Sequence, residues 1–445
     1  MISRRGFIQL GSASVASLAL RPFGLLPAMA QSSSNYRALV CVFLFGGNDS
    51  NNTIVPMDDV NYQAYLKLRG ALALQPSDLT PPVYSAQNAP YAFHGSLAEL
   101  ASMFANKELA VVANVGSLVQ PTTRSQYQAQ AAPVPLNLFS HSDQQLQWQT
   151  AIAKGNSPTG WAGRAADIVA SQNSSKFPTF MSVAGNSLMG TGVSTQPVAL
   201  NPGGNLDLQG FNTTTASQIR KGALQNLLTA NTGVKLVQAA NGVLGDSLAD
   251  AQALDAALAG AGSLSTVFPN TGIGQQLKQI AVIIKARNSL GMNRQIFFAS
   301  LGGFDTHTGE INTHKTLYPQ LSQALAAFSK ALDELGTQDD VTTFTESDFS
   351  RTFQTTSGDG SDHAWGSHHL VMGGAVKGGD IYGAFPTFAL GGPDDADTRG
   401  RWIPTLSIDQ YGATLCSWFG ITDSQLTSVF PNLGNFSTRN LGFLG

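Results

Sequence analysis

The sequence is poor in cysteine and in charged residues. Two cysteines occur in 445 residues, Cys41 and Cys416, and their separation offers no zinc-type spacing. Because each lies in an apolar segment, we predict two buried free thiols, with a disulfide outside the cytoplasm as the alternative. Charged residues make up 12% of the chain and the net charge is −3, so the sequence lacks the basic stripe of a nucleic-acid-binding protein.

No segment near the start is long and apolar enough to predict a membrane anchor. The adjacent Arg4 and Arg5 precede a short run rich in glycine, alanine and serine, a pattern typical of a twin-arginine export signal. Small residues up to Ala30 provide a cleavage site, so we predict that residues 1–30 are a signal peptide. The predicted location is periplasmic or secreted, with the twin-arginine translocase as a partner during export and no stable membrane anchor.

Long apolar runs alternate with helical patterns along the rest of the chain. We predict strands at 38–45, 109–115, 295–301 and 341–345, where apolar and β-branched residues follow one another without interruption. The helical patterns between them predict a three-layer α/β/α fold with a mostly parallel central sheet.

Two further segments are predicted to be helical. Residues 200–272 combine helical spacing of leucine and valine with glycine-rich turns, which predicts a helical insertion within a single domain of residues 31–445. An amphipathic helix is predicted at 317–335, and His314 near its start is expected to be exposed or to cap it.

Three predicted strands end in a turn followed by an acidic residue. These acids are Asp49, Asp305 and Asp348. Because parallel strands end at the same edge of a sheet, we expect the three carboxylates to converge. His307 lies two residues beyond Asp305, so in extended backbone both side chains point to the same side.

A histidine-rich segment at 361–369 is predicted to form a loop after the Asp348 strand. Converging carboxylates repel one another unless a cation neutralises them, and carboxylates with imidazoles suit zinc, manganese, magnesium or calcium. We therefore predict one or two divalent ions. The candidate ligands are Asp49, Asp305, His307, Asp348, His363 and His368. The alternative is that these side chains only cap turns.

The candidate catalytic residues are Ser140, Asn52 and Arg351. Ser140 begins a helix predicted at 140–151, where backbone N–H groups favour an alkoxide and an anionic substrate, although an ordinary N-cap has the same pattern. His141, the next residue, could supply a base or a ligand. Asn52 could bind a substrate oxygen or satisfy turn backbone, and Arg351 could clamp an oxyanion or pair with an acid.

Motifs at the start of the precursor and along nearly the whole mature chain resemble those of an exported bacterial family catalogued as domain of unknown function 1501. They are the paired arginines, GGNDSNNTIVP at 46–56, Ser140-His141, GWAGR at 160–164, GGFDTH at 302–307, the segment around Asp348, DHAWG at 362–366 and RWIPT at 401–405. Members of that family are similar, more remotely, to the alkaline phosphatase and sulfatase superfamily.

The superfamily resemblance implies an alkaline-phosphatase-like sheet with metal ligands at its carboxyl edge. Asp49 would correspond to the acid after the first strand, and Ser140 to the nucleophile at a helix start. Asp305 and His307 would hold one metal ion, at a closer spacing than in phosphatases.

The same resemblance makes Asp348 the acid of an Asp-His pair, but Phe349 occupies the place of the histidine. Either His363 or His368 substitutes for it, or a single metal ion binds. The implied function is a periplasmic metal-dependent hydrolase of phosphate or sulfate esters, acting on a small anionic ester. The alternative is a non-catalytic exported binding or assembly protein with a degenerate metal site.

Overall fold

The computed structural model describes residues 35–203, 214–230, 233–356 and 358–445, so the predicted signal peptide lies outside the described residues. The strands are β1 (Arg37–Leu44), β2 (Ile54–Pro56), β3 (Val83–Tyr84), β4 (Pro90–Phe93), β5 (Leu109–Gly116), β6 (Phe180–Ser182), β7 (Val198–Ala199), β8 (Arg294–Leu301), β9 (Val341–Ser347), β10 (Ser367–Met372), β11 (Ile381–Gly383) and β12 (Leu406–Ser407). The helices are α1 (Ser50–Thr53), α2 (Asp59–Arg69), α3 (Ala98–Ala105), α4 (Arg124–Gln128), α5 (His141–Thr150), α6 (Trp161–Val169), α7 (Thr215–Thr229), α8 (Lys235–Ala261), α9 (Gly272–Lys285), α10 (Glu310–Glu334), α11 (Ile408–Phe419) and α12 (Asp423–Val429).

The central sheet has nine strands in the order β11-β5-β10-β9-β1-β8-β6-β7, with β12 beside β5. Strand β10 runs antiparallel to its neighbours β5 and β9, whereas the other pairings of this sheet are parallel. The predicted mostly parallel sheet is therefore confirmed. A smaller antiparallel sheet contains β2, β4 and β3.

Helices cover both faces of the central sheet. Leu39, Cys41 and Phe43 of β1 pack in one apolar cluster with residues of α6, α11 and α12. Helix α10 contacts both α3 and α9, while α3 contacts β5 and α9 contacts β8. Strands β5 and β9 are buried along their whole length, which is why their sequences are uninterrupted runs rather than alternating ones. The predicted three-layer α/β/α fold is confirmed.

Several local predictions differ from the structure. The helix predicted at 317–335 begins at Glu310, and this earlier start leaves His314 fully buried rather than exposed. The predicted loop 361–369 ends in β10, which contains His368. Both cysteines are buried and free, as predicted. Helices α7 and α8 occupy the region of the predicted insertion, and no helix of the described residues is both long and apolar enough to cross a membrane.

Candidate metal centre

The carboxyl ends of three adjacent strands bring the strand-end acids to one edge of the sheet. Strand β1 lies between β8 and β9 and is parallel to both, so Asp305 and Asp348 flank the turn that follows β1. The turn passes so close that a Cβ on Gly46 would lie 2.4 Å from the backbone nitrogen of Asp305. Gly46 has φ +111° and donates its N–H to Oδ1 of Asp348 at 3.2 Å. Glycine is needed there for both the conformation and the approach.

Three imidazoles meet at Oδ1 of Asp305. Nε2 of His141 lies 3.4 Å from this oxygen, and Nε2 of His307 lies 3.0 Å from it. Nε2 of His363 is 3.5 Å from the same oxygen and 3.0 Å from Nε2 of His307. Ligands roughly 2.0–2.1 Å from a tetrahedral zinc ion are about 3.3–3.4 Å from each other. His141, Asp305 and His363 form one group whose ligand atoms all lie within 4.8 Å of one another, and His307 joins His363 and Asp362 in an adjoining group of the same kind. We call His141, Asp305, His307 and His363 the outer site.

Hydrogen bonds from the second ring nitrogen orient two of these imidazoles. His363 Nδ1 lies 2.7 Å from the carbonyl oxygen of Phe139, which can only accept, so Nε2 of His363 carries the lone pair. His141 Nδ1 lies 2.6 Å from Oδ2 of Asp348. Nε2 of His141 is buried and makes no hydrogen bond with any described residue. Metal-binding histidines are held in this way by carbonyl and carboxylate partners, so the residues fit a bound ion.

The surroundings of the outer-site residues shift their pKa values in different directions. Burial tends to raise the pKa of Asp305, but the hydrogen bond and charge of Arg351 outweigh burial and lower it. Burial lowers the pKa of His363, which favours the neutral imidazole that a metal needs. The hydrogen bond with Asp348 raises the pKa of His141. A proton therefore competes with a metal ion more strongly at His141 than at His363.

Arg351 is a fully buried cation at the outer site. Its Nη2 donates to Oδ1 of Asp305 at 2.8 Å. Its Nε and Nη1 atoms are buried and have no hydrogen-bond partner among the described residues. A buried guanidinium with unmet donors is costly, and an anionic oxygen satisfies such donors best. Arg351 therefore meets the requirement of the predicted oxyanion clamp.

Asp49 belongs to a different group, which we call the inner cluster. Asp49, Glu310 and His314 are fully buried, and each offers one ligand atom within 4.8 Å of the others. Arg69 forms ion pairs with both carboxylates. The structure thus places Asp49 next to a protein cation, whereas Asp305 lies among imidazoles.

The hydroxyl of Ser140 has a partner on its own helix. Ser140 is the N-cap residue of α5, as predicted, and its Oγ donates to Oδ2 of Asp143 at 2.6 Å. This bond lowers the pKa of Asp143, so that Asp143 is a weak base at neutral pH. The role of Ser140 as a nucleophile stays a prediction.

Two other candidate residues have their hydrogen bonds elsewhere. Oδ1 of Asn52 accepts from the hydroxyl of Tyr65 at 2.8 Å. His368 is buried within β10, and its Nδ1 accepts from the backbone N–H of Asn114 at 2.9 Å. The structure therefore brings Asp305, His307 and His363 together, with Asp348 behind His141, and their role as metal ligands stays a prediction.

His141 was predicted as a possible base or ligand but was not included among the six candidate metal ligands. The available signal was the position of a histidine at a predicted helix start, where the first side chains face the same edge as the strand ends. Nothing in the sequence marked Arg69 as a functional residue, because basic residues are common in the last turn of a helix, where Arg69 lies in α2.

Comparisons with known proteins give a family but no activity. Residues 36–423 match the family described as "Protein of unknown function (DUF1501)". No curated protein matches the chain.

Several solved structures resemble the chain, with low sequence identities and low TM-scores. One is the lipoteichoic acid synthase LtaP from Listeria monocytogenes, with 7% identity and a TM-score of 0.33 over 80% of this chain and 69% of that one. Another is a Bacteroides thetaiotaomicron protein described with the metabolism of multiple glycosaminoglycans, with 11% identity and a TM-score of 0.39 over 92% and 77%. A third is a TAB5 alkaline phosphatase variant with bound magnesium, with 12% identity and a TM-score of 0.30 over 89% and 97%. The function has to be sought in this chain's own residues.

Proposed function

Because the chain belongs to the DUF1501 family, described as proteins of unknown function, we propose a function from its own side chains: a metal-dependent hydrolase of phosphate or sulfate esters. The observation that carries the proposal is the convergence of three Nε2 atoms on Oδ1 of Asp305 beside a buried arginine. We place the protein in the periplasm after twin-arginine export, where it would act on a small anionic ester.

The outer site suits a single divalent ion such as zinc or manganese, which would act there as a Lewis acid, lowering the pKa of water and polarising an ester oxygen. His141, His307, His363 and Asp305 would hold it. In the neutral imidazole of His141, the bond from Nδ1 to Asp348 leaves the lone pair on Nε2 and aims it at the site.

Arg351 provides the selectivity for an anionic ester. Its Nη2 is bound to Asp305, and its buried Nε and Nη1, which have no hydrogen-bond partner among the described residues, would donate to oxygens of a phosphoryl or sulfuryl group. Because the guanidinium is buried, its attraction for a developing negative charge is stronger than it would be in water. Arg351 therefore binds the group that is transferred and stabilises its charge in the transition state.

The test measures metal content beside turnover of aryl phosphates and aryl sulfates. His307→Ala and Asp305→Ala should each lose the bound ion, the turnover and some thermal stability, because an ion held only by the native state stabilises it. Ser140→Ala should keep the ion and the fold, since an N-cap change costs about 1 kcal/mol. It should abolish turnover if its hydroxyl attacks.

The matched control is Asp423→Ala, because Asp423 is an aspartate whose side chain is 75% exposed in α12. It should change neither ion content nor turnover. Full turnover in Ser140→Ala would assign the attack to water instead. Wild-type protein with neither ion nor turnover under any divalent ion would contradict the proposal.

A binding or assembly protein is the second candidate, and helices α7 and α8 favour it. Ile219, Leu227, Leu236 and Val243 are each more than 60% exposed there. Exposed aliphatic side chains on neighbouring helices are typical of a partner-binding surface. A wild type without ion or turnover would leave this function as the better explanation.

A further inference from the structure

A buried arginine lies between the two carboxylates of the inner cluster. The side chains of Asp49, Arg69 and Glu310 are fully inaccessible to solvent. Nη2 of Arg69 contacts Oδ2 of Asp49 and donates to Oε1 of Glu310 at 3.0 Å. With His314 the carboxylates have the spacing of metal ligands, yet the cation beside them is part of the protein.

The guanidinium is fixed by further bonds. Nη1 of Arg69 donates to the carbonyl oxygens of Thr352 at 2.6 Å and Phe353 at 2.8 Å. Nε donates to Oδ1 of Asn52 at 3.3 Å. All three nitrogens of the guanidinium are therefore engaged, and the cation cannot move aside without breaking bonds to several segments.

The remaining carboxylate oxygens also have donors. Oδ1 of Asp49 accepts from Nδ2 of Asn51 at 2.9 Å. Oε2 of Glu310 accepts from Oγ1 of Thr306 at 2.9 Å and from the hydroxyl of Ser361. Every oxygen of both carboxylates therefore already has a donor within the protein.

The charges of the inner cluster balance without an ion. Burial raises the pKa of Asp49 to about 7, against the opposing effect of Arg69, so Asp49 keeps a proton at mildly acidic pH. Burial lowers the pKa of His314 to about 3, which keeps its imidazole neutral. One guanidinium and one proton neutralise two carboxylates, and a divalent ion would add buried charge that nothing compensates.

We infer that Arg69 takes the place of a second metal ion, so that each chain binds one ion, at the outer site. The inference rests on the proposed function for that single ion. Asp49 is then a positioning residue. It holds Asn51, whose Nδ2 also donates to the backbone oxygen of Arg351 at 3.1 Å and so fixes the segment that carries the anion-binding guanidinium.

The test counts zinc and manganese ions per chain by elemental analysis after exhaustive dialysis. Wild type and Asp49→Asn should each hold one ion, because Asp49 is not a ligand. Arg69→Met should hold two, since removal of the guanidinium leaves repelling carboxylates that a divalent ion neutralises. Arg69→Lys, the matched control, keeps the positive charge and should hold one.

Each outcome bears on one proposal. Two ions in the wild type, or loss of the ion in Asp49→Asn, would overturn the role of Arg69 and leave the hydrolase proposal standing. A wild type without an ion would contradict the hydrolase proposal, and a gain of one ion in Arg69→Met would still support the role of Arg69.

If Arg69→Met does not fold, Glu310→Gln replaces it: an unchanged count of one ion supports the inference, and a lower count contradicts it.

Discussion

At the scale of single residues, a side chain can serve a metal site without touching the ion. Asp348 was predicted as a ligand, and the structure places both its oxygens against protein donors. Oδ1 accepts from Gly46 at 3.2 Å, and Oδ2 binds Nε2 of Gln145 at 2.8 Å and Nδ1 of His141 at 2.6 Å. Its negative charge raises the basicity of His141, so Asp348 tunes the ligand and holds its ring in place.

Asp348→Asn should weaken binding of the ion about 10- to 100-fold without unfolding the protein, because the amide has the same shape but no charge. The measurement is the dissociation constant for zinc from competition with a chelator. Asp339→Asn is the control, since Asp339 is exposed just before the opposite end of β9. An unchanged zinc affinity in Asp348→Asn would show that His141 does not need this partner or does not bind the ion.

At the scale of elements, helix starts carry buried acids that respond to pH. Asp409 lies in the first turn of α11, is 2% exposed and accepts the backbone N–H of Asn432 at 3.0 Å. Burial raises its pKa to about 7, although the hydrogen bond from Asn432 opposes the change. Between the unfolded pKa of about 3.9 and about 7, the folded state therefore keeps a proton that the unfolded state has lost.

The free energy of unfolding should accordingly fall as the pH rises through this window, by at most about 1.4 kcal/mol per pH unit from Asp409. The contribution is complete below pH 4 and lost above pH 7. Asp409→Asn should flatten the decline, which urea unfolding at pH 4.5, 5.5 and 6.5 would reveal. The exposed Asp423 provides the control variant, Asp423→Asn, and parallel curves for wild type and Asp409→Asn would refute the assignment.

At the scale of the whole molecule, export is predicted from a segment outside the described residues. Replacing both Arg4 and Arg5 by lysine should leave the precursor in the cytoplasm, because the paired arginines are the address that the translocase reads. Cell fractionation with an antibody against the mature chain measures the distribution. A single Arg21→Lys change is the control and should be exported normally. Periplasmic accumulation of the double variant would show that another pathway is used.

Much of the fold was predictable, because a buried parallel strand needs an uninterrupted apolar run and four such runs stand out in the sequence. The start of α10 was missed for a physical reason. Glu310 and His314 occupy buried positions in its first turns, and a search for apolar periodicity does not recognise buried polar side chains. For the same reason the sequence did not show that Arg69 is buried, because a pattern of apolar residues does not identify a buried arginine.

The sequence by itself determined that an acid follows each of β1, β8 and β9, with glycine turns after β1 and β8, and that a parallel sheet would bring their ends to one edge. Only the tertiary structure decided what each acid meets there. Asp49 and Asp305 share the same local pattern, yet Asp49 is buried against Arg69 while the side chain of Asp305 is 49% exposed among three imidazoles. The reason is that a carboxylate's partner comes from segments far away in the chain, and their approach depends on how the helices pack over the sheet.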